Sequence, residues 1–91
     1  MKCRLRIPES LQVLIRHLAP AIKYKVRESL EEIRKHPELG KPLTEDLEGL
    51  RSYKVGQIRV VYRLGDPIEL VGIGPRKTIY QKVALEIKKN V

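Results

Sequence analysis

Apolar and polar residues alternate through KCRLRI, residues 2–7, and again through much of residues 52–73, the period-2 pattern of strands with one buried face. In the first stretch Cys3, Leu5 and Ile7 point inward and Lys2, Arg4 and Arg6 outward, and the basic row also guards a sheet edge against pairing with other chains. Between these stretches the period becomes helical. Leu11, Leu14, Ile15 and Leu18 fall at i, i+3, i+4 and i+7 after Pro8, with Ser10 placed to cap the helix. A second stripe, Ile22, Val26, Leu30 and Ile33, follows Pro20, which suits a first helical turn. It must end before Pro37, because the residue preceding a proline is driven out of helical geometry. The two helices make a hairpin that can cover one face of a sheet. HPELGKPLTEDLEG, residues 36–49, has two prolines and two glycines and reads as a connecting loop pinned by Leu39, Leu43 and Leu47. Near the carboxyl end Thr78 and Gln81 have capping-box spacing, and Ile79, Val83 and Ile87 recur every four residues, which predicts a helix running to near Lys88.

The alternation in residues 52–73 can be given a register. Gly56 at the first central position of a two-residue loop favours a type II′ turn, so Val55 faces Ile58 and Lys54 faces Arg59. Gly65-Asp66-Pro67 makes a second turn that brings Leu64 opposite Ile68. One face then holds Tyr53, Val55, Ile58, Val60, Tyr62, Leu64, Ile68 and Leu70, and is the core face. The other holds Ser52, Lys54, Arg59, Val61, Arg63, Glu69, Val71 and Ile73. On it Arg63 meets Glu69 across the strand, whereas Arg59 meets only Lys54 and Ile73. Like charges directly opposite one another are unfavourable, so the Lys54–Arg59 pair points to an anionic ligand such as phosphate. The pattern as a whole is an α+β domain spanning residues 1–91: an N-terminal strand, a helical hairpin packed on a mainly antiparallel sheet, and a short C-terminal helix.

Composition narrows the chemistry. A chain of 91 residues buries only about two-thirds of its surface on folding, which favours a shallow cleft or an exposed face over an enclosed active site. Cys3 is the only cysteine, and His17 and His36 do not stand with it at metal-ligand spacing, so neither a disulfide nor a zinc site is expected, and no cofactor. The amino terminus carries charges where a signal peptide has an apolar run, and no stretch has membrane-spanning length; a cytoplasmic protein is the expectation. The net charge is +8, but residues 28–48 hold seven of the eleven acidic side chains against three basic ones. Outside that segment sixteen basic residues face four acidic ones, a distribution that fits binding to nucleic acid, with an acidic protein as the other candidate partner.

With these residues laid out, the chain resembles the RelE/ParE superfamily of toxins from toxin–antitoxin systems along nearly its whole length. The resemblance is carried by the helical hairpin ending in RKHPELGKPL, by LEGLRSYKVGQIRVVYRL, and by the closing GIGPRKTIY. RelE-like members are ribosome-dependent endoribonucleases that cut messenger RNA; by their motif the catalytic roles fall on Lys54, Arg59, Arg76 and Tyr80. Where several of them have a second lysine two positions after the first, this chain has Gly56, and its segment from Arg76 to Tyr80 is shorter than in some. ParE-like members share the fold, inhibit DNA gyrase and generally lack the Arg-and-Tyr ending. An inactive relative kept as a binding module is a third possibility. For the nuclease, Arg59 and Arg76 suit charge stabilisation on phosphate, and Lys54, held against a second cation, is the candidate proton acceptor. Tyr80 can stack on a base or move a proton, and it can equally be a core aromatic beside the apolar stripe. Lys77, Lys82, Lys88 and Lys89 are expected to attract phosphates of RNA and ribosome without regard to sequence. The resemblance also implies a small antitoxin partner, and Val61, Val71 and Ile73, beside the cationic residues, are its expected dock.

Overall fold

A computed structural model describes residues 3–89 of the chain. The amino-terminal alternation condenses into a strand of two residues, β1 (Leu5–Arg6), followed by α1 (Glu9–Arg16) and α2 (Pro20–Lys35). Two 3-10 turns, Pro37–Leu39 and Glu45–Leu47, flank the short β2 (Lys41–Pro42). The meander β3 (Leu50–Val55), β4 (Ile58–Arg63) and β5 (Ile68–Pro75) runs directly into α3 (Arg76–Lys89). In the sheet the order is β1-β5-β4-β3-β2, with β1 parallel to β5 and every other neighbour antiparallel. The architecture is the expected α+β one, although the last helix, at 14 residues, is not short. Cys3, Leu5 and Ile7 pack inward, while Arg4 and Arg6 point out and pair with Asp66 and Glu69, both at 3.2 Å. Lys2 lies outside the described residues.

The helix boundaries follow the prolines more closely than the capping residues. α1 starts straight after Pro8, whose carbonyl accepts from the amides of Leu11 and Gln12, both at 3.0 Å, so Ser10 sits inside the first turn and caps nothing. α2 has Pro20 in its first turn and ends at Lys35, two residues before Pro37. Its stripe faces the sheet only from Val26 onward; Ile22 is 39 % exposed.

Each face of the sheet has its own core. On one, Ile15, Val26, Leu30 and Ile33 of the hairpin meet Val55, Val60, Tyr62, Ile68 and Leu70. On the other, Ile79 and Val83 of α3 lie on Leu50 and Val61, with Val71, Tyr80 and Ile87 packed around them. The middle of the face expected to be an open basic surface is therefore covered. The physical reason is that the apolar stripe of α3 needs a partner surface, and Leu50, Val61 and Val71 supply it.

The register holds at Arg63↔Glu69 and Tyr62↔Leu70, then shifts by one residue between Val61 and Tyr62. Beyond this bulge Val61 faces Gly72, Val60 faces Ile73, and Arg59 faces Gly74. Because side chains alternate along a strand, the extra residue turns Ile73 from the expected face into the hairpin core, where it is 5 % exposed. Arg59 accordingly lies beside a glycine and not beside Ile73. The expected docking row of Val61, Val71 and Ile73 does not form: Val61 is fully buried under α3, Ile73 faces the opposite layer, and Val71 is half-buried at the bulge. Leu64 falls past the end of β4, unpaired and 42 % exposed.

Residues 36–49 are held by a buried tyrosine. The Gly40 amide donates to the Tyr62 hydroxyl at 2.8 Å, and that hydroxyl donates to the Pro37 carbonyl. Arg51 adds bonds to the carbonyls of Glu38 and Gly40, at 3.1 and 2.8 Å. Gly40 is required for this approach, since a Cβ there would stand 2.6 Å from the hydroxyl oxygen. Leu43 and Leu47 pin the loop to the second core, whereas Leu39 is 44 % exposed.

Burial pushes the Tyr62 hydroxyl above its ordinary value of 10.0, against the opposing pull of the Gly40 hydrogen bond and the Arg51 charge. With the folded value above the unfolded one, its contribution to stability is complete below about pH 10 and declines as pH rises through the folded value. Urea midpoints measured from neutral to strongly alkaline pH should fall less steeply in Tyr62→Phe than in the parent chain. Identical alkaline slopes would show that Tyr62 takes no part in the titration.

Candidate functional site

The hairpin at Gly56-Gln57 forms as its sequence dictates, with φ of +62° at Gly56, and it sets Lys54 directly opposite Arg59. Lys54 is exposed and Arg59 half-buried. Among the described residues no carboxylate pairs with either. Arg63, on the same face, is different: it lies 3.9 Å from Glu69, which also takes Arg6 at 3.2 Å. The cross-strand reading that separated an unneutralised Lys54–Arg59 pair from a partnered Arg63 thus describes the folded surface.

Arg76 reaches the same end of the sheet by a different route. Gly74 is opposite Arg59, and two residues later the strand becomes α3 with no intervening loop. The helix begins at Arg76, not at Thr78, so the capping-box spacing of Thr78 and Gln81 has no role at its start. No acidic residue stands in its first turn, which opens with the exposed pair Arg76-Lys77. Cations at a helix N-terminus oppose the macrodipole, and two of them together with Lys54 and Arg59 make an end of the molecule suited to an anion.

Tyr80 is placed by packing. Its ring leans on the second core, and its hydroxyl lies 2.9 Å from Ser52 Oγ, a side chain only 5 % exposed. Ser52 and Lys54 share a face of β3 and stand roughly 7 Å apart along the strand. The two readings of Tyr80 are therefore compatible, since a core-packed ring carries its hydroxyl to the border of the cationic patch. Ser52 is the residue that sequence reasoning passed over. It stood on the right face of the alternation, but only the tertiary approach of α3 gives it a partner.

The remaining lysines do not form one patch. Lys77 shares the first turn with Arg76, Lys82 borders a groove beside β5, and Lys88 is about 17 Å along the helix from Lys77. All three are exposed, and the Lys89 side chain lies outside the described residues. His17 and His36 are exposed and engaged locally, His17 Nδ1 at 2.8 Å from the Val13 carbonyl and His36 at 3.9 Å from Glu38. Among the described residues no three His, Cys, Asp or Glu side chains converge as a metal site, and no helix is long and apolar enough to cross a membrane.

Residues 6–80 match the family described as the ParE toxin of the type II toxin-antitoxin system parDE. Over 46 residues the chain is 46% identical to Toxin RelE of Mycobacterium tuberculosis (strain ATCC 25618 / H37Rv); that stretch is 47% of this chain and 47% of the relative, so the chain spans about half the length of the curated protein it matches. The fold is similar to that of an E. coli toxin RelE mutant in the free state, with a TM-score of 0.77 at 17% identity over 100% of this chain and 99% of that one. It is also similar to the M. tuberculosis toxin-antitoxin complex RelBE2, at 0.73 and 23% identity over 84% and 100% of the two chains. The archaeal RelE-RelB complex from Pyrococcus horikoshii OT3 gives 0.64 and 21% over 86% and 99%. At these identities the structural likeness is one of fold.

Proposed function

The chain belongs to the ParE toxin family of type II toxin–antitoxin systems, and from that premise we propose that it is a ribosome-dependent endoribonuclease that cleaves messenger RNA and is restrained by a small antitoxin protein. The observation that carries this reading is the Lys54–Arg59 pair, opposed across a hairpin with no carboxylate between them and with the Tyr80 hydroxyl one strand step away through Ser52. RNA supplies its own nucleophile. The 2′-oxygen forms a bond to phosphorus, the bond to the 5′-oxygen breaks, and the products are a cyclic phosphate and a 5′-hydroxyl. Lys54 takes the proton from the 2′-hydroxyl, Arg59 and Arg76 hold the charge that builds on the phosphate oxygens, and Tyr80 gives a proton to the leaving oxygen. A chain of this size has little surface with which to orient RNA alone, so the ribosome supplies the rest of the alignment.

One observation favours a second reading, inhibition of DNA gyrase without catalysis: the matching family is that of ParE toxins. Primer-extension mapping of cellular transcripts after induction of the chain separates the two. We expect discrete new 5′ ends within translated regions, reproduced by purified protein only when programmed ribosomes are present. Double-strand DNA breaks with intact transcripts would replace the nuclease by the gyrase reading. Neither outcome, with growth unaffected, would leave a binding relative.

A further inference from the structure

On its α3 side β3 presents Leu50, Ser52 and Lys54 in turn, so Ser52 is the last buried position before the cationic end. α3 grows out of β5 without a loop, and Ile79 descends onto that strand: a Cβ at Gly72 or Gly74 would stand 3.0 or 3.4 Å from its Cδ1. These contacts bring the helix close, but they are apolar and carry no direction. Among the described residues one side-chain hydrogen bond joins α3 to the sheet, the 2.9 Å contact of Ser52 Oγ with the Tyr80 hydroxyl. Ser52 has no other hydrogen-bond partner among them. A buried hydroxyl beside the apolar layer of Leu50, Val61, Ile79 and Val83 costs stability unless it is paired, so packing alone would favour an apolar residue at that position.

We propose that Ser52 is a positioning residue for RNA cleavage: its hydroxyl donates to Tyr80 Oη, turns the tyrosine's own proton toward the cationic end, and keeps the bond as that proton leaves. The inference rests on the nuclease reading above. The direction of the bond decides what Tyr80 can do. Were Tyr80 the donor, its proton would be held inside the layer and only lone pairs would face the patch. With Ser52 as donor, the phenol proton is free for an oxygen outside. In the step itself the Tyr80 Oη–H bond breaks, the proton goes to the leaving 5′-oxygen, and the electron pair stays on Oη as a phenolate. Ser52 then holds that phenolate by a charge-assisted hydrogen bond, the stronger kind, so the interaction tightens as the transition state forms. After the product leaves, water returns a proton to Tyr80 and takes from Lys54 the one it accepted, so none is gained or lost over the cycle.

The test compares Ser52→Thr with Ser52→Val, two side chains of the same shape that differ in the hydroxyl alone. On programmed ribosomes the valine chain should cleave about fivefold more slowly than the threonine chain in a single turnover, with ribosome affinity equal. In a Tyr80→Phe background the two should cleave at the same rate, because the partner is gone. Away from ribosomes, in the full chain labelled with ¹³C at tyrosine Cζ, the Tyr80 resonance should differ between the two variants while those of Tyr24, Tyr53 and Tyr62 do not. If circular dichroism shows that the added methyl unfolds both, Ser52→Ala against the parent chain gives the same three readouts. Equal rates for threonine and valine in a chain that cleaves overturn the proposal and leave the nuclease standing. A difference that persists undiminished with Tyr80→Phe overturns it as well, since Ser52 then acts by packing, and so does a Tyr80 resonance that is the same in both. A resonance that moves in a chain whose parent cleaves nothing refutes the nuclease reading and, with it, the role of Ser52 in cleavage, while the hydrogen bond itself is demonstrated.

Discussion

Replacing Arg59 by Ala should lower single-turnover cleavage on programmed ribosomes by at least about tenfold, and Arg76→Ala and Tyr80→Ala should each do the same, because in the proposed mechanism each removes a group used in the transition state. Ribosome affinity should fall much less, since the other lysines and arginines still meet phosphates. Two variants on the same face make the result interpretable. Arg63→Ala leaves Glu69 with Arg6, and for so exposed a pair it should cost roughly 0.2–1 kcal/mol or less and leave the cleavage rate nearly intact. Ser52→Ala removes the hydrogen-bond partner of the Tyr80 hydroxyl but not the hydroxyl itself, so it should fall between Tyr80→Ala and the parent chain. If Arg63→Ala abolished cleavage while Arg59→Ala did not, the assignment of the site to the Gly56 end of the hairpin would be wrong. Equal loss of binding and cleavage in every variant would mean that these residues only dock the protein.

The largest effect on stability is expected far from the cations. Tyr62→Phe keeps the buried ring but strips the Gly40 amide of its acceptor and the Pro37 carbonyl of its donor. A buried polar group left unpaired costs about 1–3 kcal/mol, and each kcal/mol lowers the melting temperature of a domain this size by roughly 4–8 °C. Gly40→Ala should destabilise the chain by a separate mechanism, since its Cβ would also come within 2.8 Å of a ring carbon of Tyr62 and so would clash even with Phe in place. Thermal unfolding of both variants by calorimetry checks this. A Tyr62→Phe protein as stable as the parent would assign the pinning of the loop to Arg51 instead.

Where the sequence could be read and where it could not has a consistent physical basis. Period-2 alternation and one glycine in a two-residue turn suffice to pair Lys54 with Arg59, and the same register pairs Arg63 with Glu69, because both lie on the near side of the bulge or within the first hairpin. Residues 70–73 are Leu-Val-Gly-Ile, without a polar position to mark a phase, so an extra residue there leaves no trace in the pattern. The start of α3 was obscured in a different way. Thr78 and Gln81 imitate a capping box, while the real helix grows out of Pro75 without a side-chain signal. The covering of Leu50 and Val61 by α3 is a tertiary choice: the stripe on the helix is visible in the sequence, but the surface it takes is not, since the apolar Val61 and Val71 on that face, set among Ser52, Lys54, Arg59 and Arg63, suit a partner protein as well as a helix of the same chain. β2 leaves no mark in the pattern, because two residues, one of them proline, carry no alternation.

The bulge after Leu70 acts as a phase switch for everything downstream of it. With Val71 as the supernumerary residue, the small positions Gly72 and Gly74 fall under α3 and beside Arg59, and the bulky Ile73 goes to the opposite layer. Regular pairing with every residue kept, Val71 opposite Val61, would exchange the two sets, placing an isoleucine against the guanidinium and Gly72 and Gly74 in the hairpin core. Anyone transplanting the Arg59–Arg76 end of this chain onto a related scaffold must therefore carry the frame of β5 with it, because the side chains alone, grafted in the other phase, would face the wrong layer.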